Sequence, residues 1–231
     1  MLILAGSPIV RAAQTGTETA AAIVQKMLKA YAEVSSYEDE GVTLSYDPDK
    51  AEPNEIVFAT FFRRADYFRF EWTSHHPYPP LRHLKTYAVT WSDAAGVHTF
   101  RQPPNSTSTL RDDGNMSRAI AGATGVSRGS AHHVLRLLST GVGGFAINEL
   151  ESLAVVGTDK IEGTSCYQLA GKHPRGNLYQ VWVGTTDYLI RRIRRPNSAS
   201  GNDQEETRRN IRINHPIPDA IFDPLRAKRT M

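Results

Sequence analysis

From Tyr37 onward the chain is a succession of strand-length runs divided by turn residues, and helical periodicity interrupts it in one stretch only. Consecutive strands joined by short turns pair antiparallel, because parallel pairing needs a long crossover between each pair. In Tyr37–Tyr46, Val42, Leu44 and Tyr46 alternate with polar partners. Glu55–Arg64 is apolar on both sides through Ile56, Phe58 and Phe62 and through Val57, Ala59 and Phe61, the pattern of a strand covered on both faces. Tyr67–Trp72 sets Phe68, Phe70 and Trp72 against Arg69 and Glu71, and Thr86–Trp91 puts Tyr87, Val89 and Trp91 on one face. Ser92–Gly96 reads as a turn into Val97–Phe100. Further runs follow at Ser152–Gly157, Ser165–Gly171, Leu178–Val183, Tyr188–Arg195 and Glu206–Asn214. The total is about ten strands, and right-handed twist makes an open sheet of that width curl.

A curled sheet needs its apolar face covered. Ahead of the first strand, Ala20, Ile23, Val24, Met27, Leu28, Tyr31 and Val34 recur at three- and four-residue spacing and predict an amphipathic helix over Glu18–Val34. Thr15 and Glu18 have the spacing of a capping box at its start. The interrupting stretch, about residues 103–145, begins with a Pro/Ser/Thr-rich loop. It then offers two short helices, Ser117–Ala123 and Ser130–Thr140, before Gly141-Val142-Gly143-Gly144. Val134, Leu135, Leu137 and Leu138 give the second helix an apolar patch, and the flanking glycines allow backbone rotation, so this insert reads as a movable cover.

Composition removes several functions. The 27 Lys and Arg against 24 Asp and Glu leave a net charge of +3, too balanced for a phosphate-binding stripe, and nucleic acid is not an expected partner. Arginine does concentrate at 191–195 and 208–212. These positions read as solvent-facing strand residues partly neutralised by Glu205 and Glu206, with a contact surface for an envelope protein as the alternative. Cys166 is the one cysteine, so an intramolecular disulfide and a cysteine-based zinc site are excluded. No run reaches the roughly 18 apolar residues of a membrane-spanning helix. Leu2–Val10 followed by Val10-Arg11-Ala12 resembles the end of a signal peptide over residues 1–14, which predicts export and a single domain over 15–231.

The motifs that could carry chemistry are weak in context. Gly125-Val126-Ser127-Arg128-Gly129 has the G-x-S-x-G form of a nucleophile elbow, and His173 or His215 with Asp187 or Asp203 could complete a triad. An elbow needs a strand before the serine, whereas Arg118–Gly122 reads as helix. A serine hydrolase using Ser127 is therefore a second alternative, and a non-enzyme is the expectation. His75-His76 and His132-His133 are adjacent pairs that cannot chelate as H-x-x-x-H does, and neither a metal nor a nucleotide or other cofactor is expected.

What remains is an aromatic and aliphatic inventory assigned to one sheet face: Phe58, Phe68, Phe70, Trp72, Val89, Trp91 and Trp182. A 17-residue helix is about 25 Å long, whereas ten strands about 4.8 Å apart span nearly twice that. Part of the face is left for the insert, through Leu137 and Leu138, or for an apolar ligand.

In this order of elements the chain resembles the bacterial lipoprotein-carrier proteins of the LolA/LolB type. The likeness rests on the leading helix, Ser36-Tyr37-Glu38-Asp39-Glu40-Gly41, Phe62 to Trp72 as the opening hairpin, and Tyr179–Val183 with Asp187–Arg192 as a later strand pair. It covers roughly residues 18–215. The resemblance implies a mainly β (α+β) fold, an unclosed antiparallel β-barrel with a helical lid whose cavity shelters acyl chains of lipoproteins or other lipids in the periplasm. It implies that Arg64 ties the open barrel edge to the lid, with Ala65 standing where the family has proline. No cysteine follows the expected cleavage site, so a free, monomeric carrier is expected rather than a lipid-anchored form.

Overall fold

The computed structural model describes residues 18–49, 51–75, 79–196 and 203–223. Eleven antiparallel strands form one sheet whose centre is the pairing of the first strand with the last. β1 (Ser36–Tyr46) runs against β11 (Asp203–Ile213) on one side and β2 (Asn54–Arg63) on the other. From β2 the chain steps outward through β3 (Tyr67–His75), β4 (Lys85–Asp93), β5 (Gly96–Gln102) and β6 (Thr109–Asp112). It crosses through the helical insert, and returns through β7 (Glu151–Ile161), β8 (Thr164–Lys172), β9 (Leu178–Gly184) and β10 (Ile190–Arg195).

The two edges, β6 and β7, are thus neighbours in the chain and unpaired with each other, so the sheet stays an unclosed barrel, as the resemblance implies. The insert between them carries α2 (Met116–Val126), α3 (Ser130–His133) and α4 (Leu135–Leu138). The extra strand relative to the sequence reading is β6, four exposed residues with no apolar alternation to announce it.

Helix α1 (Ala20–Glu33) lies on the inner face of this sheet, burying Ile23, Val24, Met27 and Tyr31 against Tyr37, Phe62, Phe68, Val181, Val183, Ile190 and Ile193. Its cap is Thr19, whose Oγ1 accepts from the Ala22 amide at 3.2 Å, rather than the expected Thr15, which lies outside the described residues together with residues 1–14, where a signal-peptide remnant is expected. Its other end is closed from β2. The Arg64 guanidinium donates to the carbonyls of Val34 (2.7 Å), Ala32 (2.8 Å) and Tyr31 (3.2 Å), acceptors that a helix C-terminus cannot satisfy internally. The expectation that Arg64 ties the barrel edge to the lid is corrected here: it fastens the end of β2 to α1.

Strand register also divides the expected aromatic face in two. Phe68, Phe70 and Trp72 stand opposite Ser92, Thr90 and Ala88, which are therefore the inner residues of β4. Val89 and Trp91 pair with Glu71 and Arg69 on the outer face. There the turn at Asp219–Phe222 covers β3 and β4: Arg69 donates to the Ile221 carbonyl at 3.0 Å, and Phe222 packs edge-on to Tyr67 at 5.6 Å. In β9, Val181 and Val183 face α1, while Trp182 lies on the other side with Ile161 and Cys166, under Arg192 at 5.5 Å. Alternation tells which residues of a strand share a side, but β4 and β9 are buried on both sides, so it could not tell which side is inner.

Gly41 marks the tightest point of the sheet centre. A Cβ there would stand 2.2 Å from Cζ of Phe58 and 2.6 Å from the Thr207 carbonyl oxygen. Gly41→Val is expected to lower stability by about 3 kcal/mol or more, since overpacking a rigid interior against backbone leaves no cheap relaxation. Urea unfolding of the variant at neutral pH measures it, and a loss under about 0.5 kcal/mol, the range of unconstrained surface changes, would show that the Phe58 ring yields freely.

Candidate functional site

A cleft of about 540 Å3 lies between α2 and the inner face of β2–β6. Its apolar lining is Ile56, Trp72 and Ala88 from the sheet and Ala123 and Val126 from the helix. Phe58 and Phe70 back this lining: their rings stack at 5.5 Å, Phe70 meets Trp72 at 5.6 Å, and Ala131 of α3 closes the same cluster. The helix contributes mostly small residues here, Gly122, Ala123 and Gly125, which leave the space beneath it unfilled. The rim carries Glu55, His75, Arg101, Arg111 and Arg128.

Local chemistry fixes the helix that forms the cleft. Buried Asp113 accepts from Arg111 Nε (2.6 Å) and Thr99 Oγ1 (2.5 Å), and its amide donates to the Val97 carbonyl, so the chain leaves β6 anchored to β5. Asn115 then caps α2 by accepting from the Arg118 amide at 2.9 Å. After α2, Gly129 has φ +101°, and a Cβ on it would stand 2.8 Å from Cε1 of His133; glycine lets the turn to α3 lie directly on that imidazole.

Beside the cleft, the centre of the inner face is polar and charged. Arg208 is fully buried; it donates to Asp39 Oδ2 (2.5 Å), to Glu206 Oε1 (2.6 Å) and to the Ser130 carbonyl of α3 (2.6 Å), and its guanidinium lies 4.9 Å from the Phe58 ring centre. The Tyr37 hydroxyl donates to the same Asp39 oxygen at 2.5 Å, and His133 Nδ1 sits 2.7 Å from Glu206 Oε2. Burial alone would raise the Glu206 carboxyl, but the charges of Arg208 and His133 and their hydrogen bonds hold it at about 2, below the usual 4.5. Through Ser130 and His133 this network is what binds the insert to the sheet. Reading Arg208 as a solvent-facing strand residue is thereby corrected. The signal that could have found it is the pair Glu206 and Arg208, two apart and so on one side of a strand, but only the register opposite β1 shows that Asp39 meets them.

The residues singled out from sequence fall into three groups. Phe58, Phe70 and Trp72 come together at the cleft, while Phe68 and Leu138 are buried in the core around α1 and Leu137 packs at its margin. Val89, Trp91 and Trp182 lie on the outer face. The other arginines of the basic segments meet partners: Arg191 pairs with Asp187, Arg192 with Glu205 (3.4 Å), Arg194 with Asp203, Arg209 with Glu40 (3.9 Å) and Arg212 with Glu38, and Arg195 donates to Gln204.

Ser127 is the C-cap of α2 and wholly buried, its Oγ accepting from the Ala131 amide at 3.2 Å, so it follows a helix and lacks the exposed strand-to-helix turn of an elbow. His173 sits in the β8–β9 turn against Phe145 and Tyr179, and His215 lies beside Glu38. His76 lies outside the described residues. Among the described residues no helix is long and apolar enough to cross a membrane, and no cluster of three His, Cys, Asp or Glu side chains is placed to hold a metal ion.

Residues 133–229 match the family model DUF2092, described as "predicted periplasmic protein". That description agrees with the expected periplasmic location. No curated protein matches the sequence. Solved structures with a similar course of the chain include the lipoprotein LppX of Mycobacterium tuberculosis, 11% identical, with 86% of this chain and 97% of that one covered at a TM-score of 0.48. LprF of Mycobacterium bovis is likewise 11% identical, covering 86% and 94% at 0.48. A LolA superfamily protein of Nitrosomonas europaea is 11% identical, covering 89% and 98% at 0.33.

Because Glu206 has a lower pKa folded than unfolded, its contribution to stability is complete above about pH 4.5 and is lost as pH falls towards about 2. Glu206→Gln is expected to flatten that limb of the pH–stability profile. At neutral pH it should cost roughly 3–5 kcal/mol by leaving Arg208 and His133 short of a buried partner. Urea midpoints of both proteins from pH 7 to pH 2 check this, and parallel profiles would refute it.

Proposed function

We propose that the protein is a non-catalytic periplasmic binding protein or carrier for an acyl chain of a lipoprotein or other lipid, held in the cleft between α2 and β2–β6. The observation that carries the reading is the cleft itself. Its volume of about 540 Å3 lies in the range of roughly 300–1,000 Å3 typical of small-molecule sites, and its floor sets the apolar patch of Ile56, Trp72 and Ala88 beside Ser74, Thr86 and Thr99 where the helix above is small. Each methylene moved from water onto such a floor contributes about 0.8 kcal/mol, so an acyl chain of moderate length can be held by burial alone. The insert is the natural cover. It is bound to β11 through α3 and to α1 through α4, while α2 reaches over β4 and β5 towards the open edge.

Trp72 lines the cleft and Trp91 and Trp182 are on the outer face, which makes tryptophan emission a direct assay. In the protein with Trp91 and Trp182 replaced by phenylalanine, titration with dodecanoate is expected to shift Trp72 emission to the blue and to saturate. Gly125→Trp should weaken dodecanoate binding at least tenfold by filling the cleft, since a Cβ on Gly125 meets nothing within 4 Å and the fold can accept the side chain. Mass spectrometry of organic extracts of the purified protein should reveal a co-purified lipid. An emission spectrum indifferent to dodecanoate, with no lipid extracted, would overturn the reading.

A further inference from the structure

We infer that the ligand of this cleft is an anionic amphiphile, its acyl chain on Ile56 and Trp72 and its negatively charged headgroup at the arginine rim. The inference rests on the apolar-cleft reading above and adds the chemistry of the head. The arginines of β10 and β11 meet a carboxylate or an amide oxygen, Arg111 at the rim is shared with Asp113, and Arg118 and Arg175, whose guanidiniums have no partner among the described residues, do not line the cleft. Arg101 and Arg128 differ. Both are exposed, both line the cleft, and among the described residues neither guanidinium has an ion-pair or hydrogen-bond partner. The single carboxylate of the lining is Glu55, which stands 3.6 Å from His75 Nε2. The lining therefore has two positive charges without a partner, Arg101 on β5 and Arg128 after α2, beside the apolar patch of Ile56, Trp72 and Ala88.

The place of Arg128 is built rather than incidental. Its φ is +58°, a left-handed conformation that a non-glycine residue adopts at a cost, and its carbonyl accepts from Arg195 Nη2 at 3.2 Å and from Gln204 Nε2. Those bonds pin the backbone of the residue whose charge is left free. Arg128 and Asn54 also border a second cavity of about 300 Å3, whose polar lining includes Ser45, Asn177, Gln204, Arg195 and the carboxylates of Asp47 and Asp203. Apolar cleft, cationic junction and polar pocket follow one another in the order of chain, anionic group and hydrophilic substituent in an amphiphile. A hydrogen bond from a guanidinium to an anion is roughly twice as strong as one between neutral groups, enough to order ligands of equal chain length by their headgroups.

The test compares dodecyl phosphate, dodecanol and inorganic phosphate below micellar concentrations, read by Trp72 emission in the protein with Trp91 and Trp182 replaced by phenylalanine and by calorimetry. Dodecyl phosphate is expected to bind at least tenfold more tightly than dodecanol, and Arg101→Gln with Arg128→Gln should bring it down to the affinity of dodecanol. Raising salt from 50 to 500 mM should erode the same preference. Equal affinities for dodecyl phosphate and dodecanol would overturn the headgroup inference and leave the apolar cleft standing. Failure of both to bind would overturn the two readings together. Inorganic phosphate binding as tightly as dodecyl phosphate would mark a site for the free anion, and the inference would likewise fall.

Discussion

The pairing of β1 with β11 decides the rest of this molecule. It puts the first and last strands at the centre of the sheet, so that the edges become β6 and β7, two strands joined directly by the insert. A curled sheet whose edges are consecutive in the chain needs its connection to pass across its own opening. The residues between Asp112 and Glu151 make that crossing with α2 over β4 and β5 and α4 against α1, so that the insert and the open edge are joined in one connection. The same pairing brings Asp39 of β1 against Glu206 and Arg208 of β11 at the middle of the inner face.

That network is an unusual thing to place in a core. Taking an arginine and two carboxylates out of water costs several kcal/mol for each ion, recovered only where geometry and hydrogen bonding are good. Here Arg208 is served by Asp39, Glu206 and the Ser130 carbonyl, and Glu206 is served in turn by His133. Two of these partners belong to the insert. An apolar patch would hold the insert by area alone and tolerate sliding, whereas directional bonds to a fixed guanidinium define where α3 sits. Position thus comes from charge and adhesion from the apolar core of α1, α4 and the sheet.

Much of this was legible in the sequence. The strand runs, the leading helix and the helical interruption are all carried by periodicity, and turn residues mark where one strand gives way to the next. Legibility failed where a position's meaning depends on what lies across the sheet. Val89, Trp91 and Trp182 are large and apolar like Phe70 and Trp72, yet register sends them to the outer face, where the Asp219–Phe222 turn and neighbouring strands bury them instead. Arg208 looks like its neighbours Arg209 and Arg212 and is the one of the three that is buried. Arg64 was found by its motif, but which element it serves depends on where the carbonyl end of α1 comes to rest.

The cleft depends on the same long-range facts and on one local feature. Small residues on a helix ordinarily bring it close to its neighbour, yet Gly125 faces open space, Gly122 faces the Arg111 guanidinium, and within α2 Ala123 alone reaches the aromatic cluster. The helix cannot settle further because both ends are tied before it starts and after it stops: Asp113 and Asn115 fix its entry to β5 and β6, and Ser127, Gly129 and the His133–Glu206 contact fix its exit over β11. Side chains too small to fill the gap, on a helix that cannot descend to close it, leave beneath α2 a cleft lined by Ile56, Trp72 and Ala88 together with polar and charged side chains.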